Sequence, residues 1–458
     1  MKKSILFTTN KTAEEITPDI VSAFIKRHSS NELDRLQRLE RYYDGEHAIV
    51  DRTKSGNLSN NKVVTNHAAY ISNFASAYLL GEPVVYSGKD GKDITALTDA
   101  LEKADAPTQD ADLALDVSIY GRGYEFVYMS SGEKPEPKLA RISPLNAFVV
   151  YDDTVEQKPV FGVYYFPVFD ESGQHTGYSG QYSTAKQIVN IKLGTAYNLT
   201  SSEAPEIHYF GNVPIIEYYN NGGRKGDFEP VMSLIDAYNT LQSDRINDKE
   251  QFVDAILLIK GQVLGDSSEE EAEAYESIRK HKVMMLDMDG DASFLTRQFD
   301  ESSLDVLRKA IVSDIHKISC VPDLTDESFA ANSSGVAIKH KLLGLEQLAK
   351  TKERYFAEGL KIRLQLFNNI LGIKGSAKVD ISDIEITFNR SLPANELEEA
   401  QIASVLSGIV PQRILLSILS MIKDPDAALE ELEEEKAQAA ERQQAIVANT
   451  PILKDETE

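Results

Sequence analysis

Three carboxylates stand close together in the segment between Ser319 and Leu342, namely Asp323, Asp326 and Glu327. Oxygen ligands of this kind suit Mg²⁺, and a bound Mg²⁺ can promote phosphoryl or nucleotide hydrolysis. Such a site also needs a general base, a second carboxylate cluster or a basic clamp for the substrate, and the sequence identifies none of them. The residues allow two interpretations, a metal-dependent hydrolase site and a solvated acidic loop, and the pattern favours the acidic loop.

A second acidic group, Asp287, Asp289 and Asp291, has the alternating spacing with which a calcium-binding loop begins. That loop needs glycine where this chain has Ala292, and a bidentate glutamate where it has Gln298. Because neither position has the residue that a calcium-binding loop requires, the Asp-Gly-Asp stretch is interpreted as the turn of a β-hairpin.

Other catalytic motifs are missing from the sequence. The glycine-rich stretch 222–226 is not the phosphate-binding GxxxxGK[ST] motif, and neither an HExxH pair nor a GxSxG motif occurs. The one cysteine, Cys320, excludes thiolate-rich metal clusters and is interpreted as an inert packing residue. We therefore predict no catalytic residues, no bound metal and no cofactor, and we assign any ATP-driven step to another protein.

The charge balance restricts the possible partners. The 458 residues include 48 basic and 72 acidic side chains, which gives a formal net charge of -24 at pH 7. A protein that holds nucleic acid by neutralising phosphates needs the opposite balance. No apolar run approaches the roughly 20 residues of a membrane-spanning helix, and the N-terminal apolar stretch is too short for an export signal. We expect a protein made in a reducing cytoplasm that neither enters a membrane nor clasps DNA.

Helical and β patterns alternate along the first half of the chain and indicate an α+β fold. Apolar residues recur at helical spacing in residues 16–43, 60–80 and 94–120. The remaining stretches up to Tyr219 are short β-branched and aromatic runs, separated by Gly, Pro, Asn and Asp as hairpins require.

Longer periodic segments occupy the second half. A helix predicted from about Pro230 to Ile259 has two apolar stripes separated by the polar block SDRINDKE, and we expect this middle part to be hydrated. Further helices are predicted at about 269–280, 304–318 and 334–371.

Smaller features lie within and after these helices. The strings KVMMLDM and SFLTRQF, residues 282–288 and 293–299, are predicted to pair as a hairpin. Gly344 and Gly359 are the predicted sites of a bend in the last long helix. The C-terminal part is predicted to be helical, and its glutamate-rich run is interpreted as a solvated helix face.

Five strings, in this order, resemble the portal (head-to-tail connector) proteins of tailed bacteriophages, especially siphophages of Gram-positive bacteria. They are RYYDGEHAI, NNKVVTNHAAYISNFASAYLLGEPVVY, IYGRGYEFVY with ISPLNAFVVYDD, FEPVMSLIDAYNTLQSDRINDKEQF, and HKISCVPDLTDESFAANSSGVAIKHKLLGLEQLAKTKERYF. None of them is a catalytic signature, and the resemblance covers nearly the whole chain.

The resemblance implies a portal fold in a ring-forming subunit. Its parts are an N-terminal arm and α+β wing at 1–228, a first stem helix at 229–260, a clip at 261–303, a second stem helix at 304–320, a tunnel loop at 321–333, a long wing helix with a strand at 334–392, and a helical crown with an acidic tail at 393–458.

The resemblance also implies a function and partners. Proteins of this family form a ring, usually of twelve subunits, at one capsid vertex, and viral DNA is packaged and ejected through its tunnel. The implied partners are further copies of the chain, double-stranded DNA that passes without sequence-specific binding, the terminase large subunit, head-completion or adaptor proteins, and scaffolding and major capsid proteins. The implied location is the virion, after assembly in the host cytoplasm.

The acidic segments then have roles without catalysis. The tunnel-loop residues implied to face DNA are Asp323, Asp326, Glu327, Ser328, Asn332 and Ser333, and the clip residues implied to contact partners are Asp287, Asp289, Asp291 and Arg297. Carboxylates in a tunnel repel phosphates, so that a duplex slides through. Two alternatives remain. One is a metal-dependent hydrolase or nuclease centred on Asp323, Asp326 and Glu327, and the other is a minor head protein without a tunnel.

Overall fold

The computed structural model of the protein describes most of the chain, namely residues 4–54, 59–253, 256–260, 267–281, 291–295, 301–324, 341–390, 396–419, 421–422 and 424–448. The chain divides into two units. Unit 1 comprises Met1–Glu40, Tyr70–Glu229 and Cys320–Glu458, and unit 2 comprises Arg41–Ala69 and Pro230–Ser319. Both helices and sheets are present, which confirms the predicted mixed class of fold.

The α-helices of the described residues are α1 Pro18–Asn31, α2 Leu33–Tyr43, α3 His67–Leu80, α4 Thr95–Lys103, α5 Ala106–Tyr120, α6 Met232–Val253, α7 Ser268–His281, α8 Glu301–Ser319, α9 Leu343–Ile373, α10 Glu396–Leu406, α11 Gln412–Ile418 and α12 Pro425–Ala448. Short 3-10 helices lie at Ala13–Glu15, Ala48–Asp51, Lys89–Gly91, Glu229–Val231 and Ile381–Asp383.

The strands in the same parts of the chain are β1 Phe7–Thr9, β2 Val85–Gly88, β3 Arg122–Met129, β4 Pro137–Ile142, β5 Ala147–Asp152, β6 Pro159–Phe169, β7 His175–Ser183, β8 Gln187–Leu193, β9 Leu199–Ser202, β10 Glu206–Ile207, β11 Ile215–Tyr219, β12 Ile256–Lys260, β13 Asp291–Leu295 and β14 Ile384–Thr387.

Unit 1 contains a seven-stranded sheet in the order β1-β5-β6-β7-β8-β10, with β9 also paired to β8. Strand β1 is parallel to β5, and the other neighbours are antiparallel. Helix α1 packs on this sheet: the Phe24 and Phe161 rings meet edge to face at 5.6 Å, and His28 Nδ1 lies 2.8 Å from the Tyr165 hydroxyl. Aromatic pairs of this geometry stabilise beyond their buried area.

A second sheet of unit 1, in the order β11-β3-β4, packs against α5 and α9. Helix α9 is continuous from Leu343 to Ile373, through both glycines at which a bend was predicted. Gly359 has a different role, because a β-carbon there would lie 2.5 Å from the ring of Tyr218 on β11. The glycine lets helix and strand approach closely.

A buried ion pair network joins these elements. Arg363 of α9 is fully buried and lies 2.6 Å from Asp110 of α5 and 2.8 Å from Glu125 of β3. Burial raises the pKa of both carboxyls, although Arg363 acts in the opposite direction. Two acids therefore share one cation in the interior.

Unit 2 contains α6, which packs against α8, and a two-stranded antiparallel sheet of β12 and β13. The predicted first stem helix over 229–260 is wrong at its end, because the helix stops at Val253 and Ile256–Lys260 is a strand. The string ILLIK has β propensity, and its pairing with Asp291–Leu295 satisfies backbone groups that a helix would otherwise satisfy. Of the predicted hairpin, residues 293–295 are in strand β13, whereas 282–288 lie outside the described residues.

The polar block SDRINDKE of α6 is buried on one face only: Ser243 and Asn247 are buried, whereas Ile246, Lys249 and Glu250 are exposed, and the hydration expected for this middle part stays a prediction for the exposed face. Asn239, Ser243 and Asn247 are at most 1% exposed. They receive three backbone hydrogen bonds from residues 60–66, here called the strap: Thr65 N–H to Asn239 Oδ1 at 2.9 Å, Val63 N–H to Ser243 Oγ at 2.9 Å and Asn61 N–H to Asn247 Oδ1 at 2.7 Å. Four helical residues rise about 6 Å, close to the length of two extended residues, so the two repeats match.

Candidate DNA-facing site

The structure describes only part of each predicted site. In the tunnel-loop set, Asp323 is described, whereas Asp326, Glu327, Ser328, Asn332 and Ser333 lie in the part of the chain that is not. In the clip set, Asp291 is the first residue of β13 and pairs with Lys260. Asp287, Asp289 and Arg297 lie outside the described residues. Whether either set comes together in space stays a prediction.

The chain turns sharply where the predicted tunnel loop begins. Helix α8 ends at Ser319, and Cys320 has a φ of 58°, in the left-handed region that commonly ends a helix. The Cys320 side chain is exposed, whereas Val321 is fully buried. The interpretation of Cys320 as a packing residue is therefore wrong, and Val321 has that role.

The hydroxyl of Tyr70, on α3, holds residues 322–324 in place. Its hydroxyl donates a hydrogen bond to the Pro322 carbonyl at 2.9 Å and accepts one from the Leu324 amide at 3.3 Å. The ring stacks on Phe74, with centroids 6.1 Å apart. Burial raises the pKa of Tyr70, and the negative charge of Asp323 adds to this effect. The hydroxyl stays protonated, as both hydrogen bonds require.

Tyr78, two turns further along α3, contacts the first turn of α9. Its hydroxyl donates to Glu346 Oε2 at 2.7 Å, and Arg390 Nε donates to the same oxygen at 3.3 Å. The Arg390 guanidinium also lies 5.5 Å from the centroid of the Tyr78 ring. Burial opposes ionisation of Glu346, but the Tyr78 hydrogen bond and the Arg390 charge hold its pKa below the usual value. Glu346 is a carboxylate at neutral pH and an acceptor for both neighbours.

The geometry around Asp323 supports a role in holding the chain in position rather than a role in metal-dependent catalysis. Within the described residues, no group of three or more His, Cys, Asp or Glu side chains is arranged to hold a metal ion. Asp323 is half-buried beside Tyr70, between two residues whose backbone groups are hydrogen-bonded to the Tyr70 hydroxyl. These contacts fix the position of the Asp323 backbone.

Sequence reasoning missed the hydroxyl roles of Tyr70 and Tyr78. Both residues fall on the broad apolar face that the spacing in 60–80 predicts, so the pattern treats them as packing residues. The available signal is chemical, since a buried tyrosine hydroxyl usually finds a hydrogen-bond partner. That partner is separated by more than 250 residues in sequence, and periodicity cannot identify it.

No helix in the described part of the chain is long and apolar enough to span a membrane.

Comparison with known protein families places the chain in one class. The family described as "Phage portal protein, SPP1 Gp6-like" matches residues 22–442. The match extends over more than half of the sequence, so the chain belongs to this family of phage portal proteins. The predicted family is confirmed, and the metal-dependent hydrolase alternative has no support from the match.

Curated relatives and solved structures are similar to the chain over most of its length. The portal protein of Bacillus phage SPP1 is 24% identical over 430 residues, which are 90% of this chain and 82% of the relative. The portal protein of Clostridium phage phiCD119 is 23% identical over 450 residues, 92% of this chain and 96% of the relative. A chain from the virion of the native gene transfer agent particle is 12% identical with a TM-score of 0.45, and it covers 84% of this chain and 92% of that one.

Proposed function

We propose that this phage portal protein forms a closed ring at one vertex of the capsid and acts as the conduit for genome packaging and ejection. The observation that carries the proposal is the family match over residues 22–442, which includes most of both units. A ring needs two different complementary surfaces on each subunit, related by a rotation that closes. We propose twelve subunits, the number that the family resemblance implies.

The acidic character of the chain suits a conduit for DNA. A net charge of -24 disfavours retention of a polyanion, because binding to phosphates depends on cationic side chains that release counterions. We assign the DNA-facing role to Asp323, Asp326, Glu327, Ser328, Asn332 and Ser333. The carboxylates act by repulsion, and the small polar residues avoid strong contacts.

The partners are assigned by region. Residues 261–303, with Asp287, Asp289, Asp291 and Arg297, are the proposed clip, which docks the terminase large subunit and later the head-completion or adaptor proteins. The exposed acidic residues of α7, including Glu269 and Glu270, favour a basic partner surface there. Scaffolding and major capsid proteins are the proposed partners during assembly in the host cytoplasm.

The domain assignment follows the same scheme with one revision. The wing at 1–228, the second stem helix at 304–320, the tunnel loop at 321–333, the long wing helix and strand at 334–392 and the crown at 393–458 keep their proposed bounds. The first stem helix is shortened to end at Val253, and the clip then begins before β12.

Electron microscopy of the purified protein tests the proposal. We expect rings with a central opening in views down the axis, and a single stoichiometry near twelve by mass photometry. A particle that remains monomeric at high concentration, with and without scaffolding protein, would contradict the portal ring. DNA cleavage that requires a divalent metal and is lost in Asp323→Ala would favour the hydrolase instead.

A further inference from the structure

We propose that residues 4–9, here called the arm, are exchanged between adjacent copies of the chain, so that the arm of one copy binds in a cleft of the next. The cleft is formed by the residues of unit 1 that contact the arm. The inference rests on the proposed function for the ring in which copies are adjacent. The recognition of the arm rests on contacts between described residues.

Two opposite charges in the cleft recognise the backbone of a single residue of the arm. The Ile5 amide donates a hydrogen bond to Glu32 Oε1, and Arg122 Nη2 donates to the Ile5 carbonyl at 3.1 Å. Arg122 also donates to the Ser4 hydroxyl. The Glu32 and Arg122 side chains are at most 3% exposed, so these hydrogen bonds lie away from water. A carboxylate suits an N–H donor and a guanidinium suits a C=O acceptor, so the pair fits an extended peptide backbone.

The cleft is held in shape by contacts that do not involve the arm. Glu32 lies 3.5 Å from Arg35, whose guanidinium is paired with Glu229 at 2.6 Å. Arg122 lies 3.8 Å from Glu217. Both charges of the cleft therefore keep an opposite charge beside them when the arm leaves, and neither becomes an unpaired buried ion.

One side chain supplies the apolar part of the contact. Phe7 is 1% exposed, and its ring centroid lies 5.2 Å from that of Phe148 on β5 and 6.4 Å from that of Phe24 on α1. The Arg27 guanidinium carbon lies 5.6 Å from the Phe7 centroid. Strand β1 then pairs with β5 at one end of the sheet. Backbone pairing at a sheet edge together with a buried side chain is a common way in which a sheet binds a strand of another chain.

The connection between the arm and α1 begins at the surface. Asn10 and Lys11 are exposed, whereas Ile16 is 4% exposed and belongs to the core. A change of backbone direction at residues 10–11 therefore redirects the arm and leaves the core and the cleft unchanged. The arm makes the same contacts in either copy, which is why such exchange is a low-cost route to association. Arm and cleft are also two different, complementary surfaces on each chain, as a closed ring requires.

Disulfide mapping in the full-length chain tests the exchange. Thr9 and Asp152 are partners in the register of β1 and β5, and neighbouring strands lie about 4.8 Å apart, a Cα separation that a disulfide spans. The exposed Cys320 is replaced by serine in every variant. We expect oxidation of Thr9→Cys/Asp152→Cys to give a ladder of covalently linked chains on a non-reducing gel. A disulfide that forms only within single chains would overturn the inference.

Co-expression of the single variants Thr9→Cys and Asp152→Cys, with different tags, gives an independent readout. We expect up to about half of all chains in disulfide-linked heterodimers, because random placement puts the two variants in the required order at about one interface in four. In the matched control, Asp170→Cys at the turn between β6 and β7 replaces Asp152→Cys and should give no heterodimers. Equal yields from the two mixtures would refute the exchange.

Electron microscopy of the same samples separates this inference from the proposed function. Rings without disulfides between chains would leave the portal ring standing and remove the exchange of arms. Disulfides between chains in particles that are not rings would support the exchange and contradict the ring. Particles that show neither rings nor disulfides between chains would contradict both.

Discussion

Buried charges at individual positions depend on their partners for stability. Arg363 is enclosed with Asp110 and Glu125 in the core of unit 1, and its guanidinium carbon lies 5.6 Å from the centroid of the Tyr218 ring. Taking charges out of water is costly, and the cost is offset only while the opposite charges remain together. Substitution of one partner should therefore cost far more than loss of a surface pair.

Arg363→Met should lower the free energy of unfolding by about 3–5 kcal/mol, because it leaves two buried carboxyls without their cation. Denaturant unfolding of the isolated protein measures this loss. The control is Lys158→Met, whose surface pair with Glu156 is more than two-thirds exposed on both sides and should contribute nothing measurable. Equal stability of the Arg363 variant and the parent would show that the network is not a source of stability.

Asp116 of α5 predicts a pH dependence with a definite sign. Burial raises its pKa to about 6, in spite of the hydrogen bonds from Arg141. The folded protein then binds a proton that the unfolded chain, with an aspartate pKa of about 3.9, releases. This group therefore makes the protein more stable as the pH falls from about 6 towards 4.

Asp116→Asn should remove that increase from the pH profile of the unfolding free energy. The exposed Asp99→Asn on α4 is the control and should retain the parent profile. A profile of Asp116→Asn that rises between pH 7 and 5 as steeply as the parent's would refute the assignment.

At the scale of elements, the strap and α6 show why polar side chains on one face of a helix can be buried. Every second amide of residues 61–65 finds a side-chain acceptor one helical turn from the last. Ser243 also donates to the Asn239 carbonyl at 2.7 Å, so its hydroxyl is used in both directions. An amide that is withdrawn from water and lacks an acceptor loses stability, and each of these partly buried amides has one.

Ser243→Ala should destabilise the protein by about 1–3 kcal/mol, because it leaves the partly buried Val63 amide without its acceptor. Ser233→Ala on the exposed side of the same helix is the matched control, and it should be neutral. Hydrogen exchange at Val63 should accelerate in Ser243→Ala only. No difference between the two variants would mean that water replaces the lost hydroxyl.

Gly359 and Gly344 of α9 form a second matched pair. Gly359→Ala forces the new methyl group against the Tyr218 ring and should cost about 1–3 kcal/mol, the range for overpacking in a core. At Gly344 the nearest atom to a new β-carbon is 3.9 Å away. Alanine there should be neutral or stabilise by up to about 1 kcal/mol through helix propensity. Thermal unfolding of both variants measures the contrast, and similar melting temperatures would contradict it.

At the scale of the whole molecule, we expect the net charge of the chain to influence how it interacts with DNA. The parent chain, with a net charge of -24, should show no retention of double-stranded DNA at moderate salt. Repulsion by exposed carboxylates weakens as salt screens it, with a Debye length of about 8 Å at physiological ionic strength. A change of sign in the predicted tunnel loop should thus be visible in a binding assay.

The triple variant Asp323→Lys/Asp326→Lys/Glu327→Lys should retain DNA on assembled rings. Each lysine that meets a phosphate adds about 0.9 to the slope of log affinity against log salt. Filter binding across a salt series measures the slope. The control reverses Asp170 and Glu171, at the turn between β6 and β7, where the proposed conduit has no role. Equal retention by the two charge-reversed proteins would exclude a special place for the loop.

The sequence by itself determined the family, the mixed class of fold, and the positions of most helices and strands. These properties follow from local periodicity and from five strings in a given order, and both signals are contained in the local sequence. The confirmed match over residues 22–442 and the helices at α6, α8 and α9 show how far this information extends.

Only the tertiary structure decided which polar groups are buried and what they bind. The strand at Ile256–Lys260, the strap on α6, the close approach at Gly359 and the hydroxyl contacts of Tyr70 all join residues distant in sequence. Periodicity indicates whether a side chain faces the interior, but it does not indicate which residue that side chain contacts there. The pairing of distant groups is decided by burial and hydrogen-bond satisfaction, and these exist only in the folded chain.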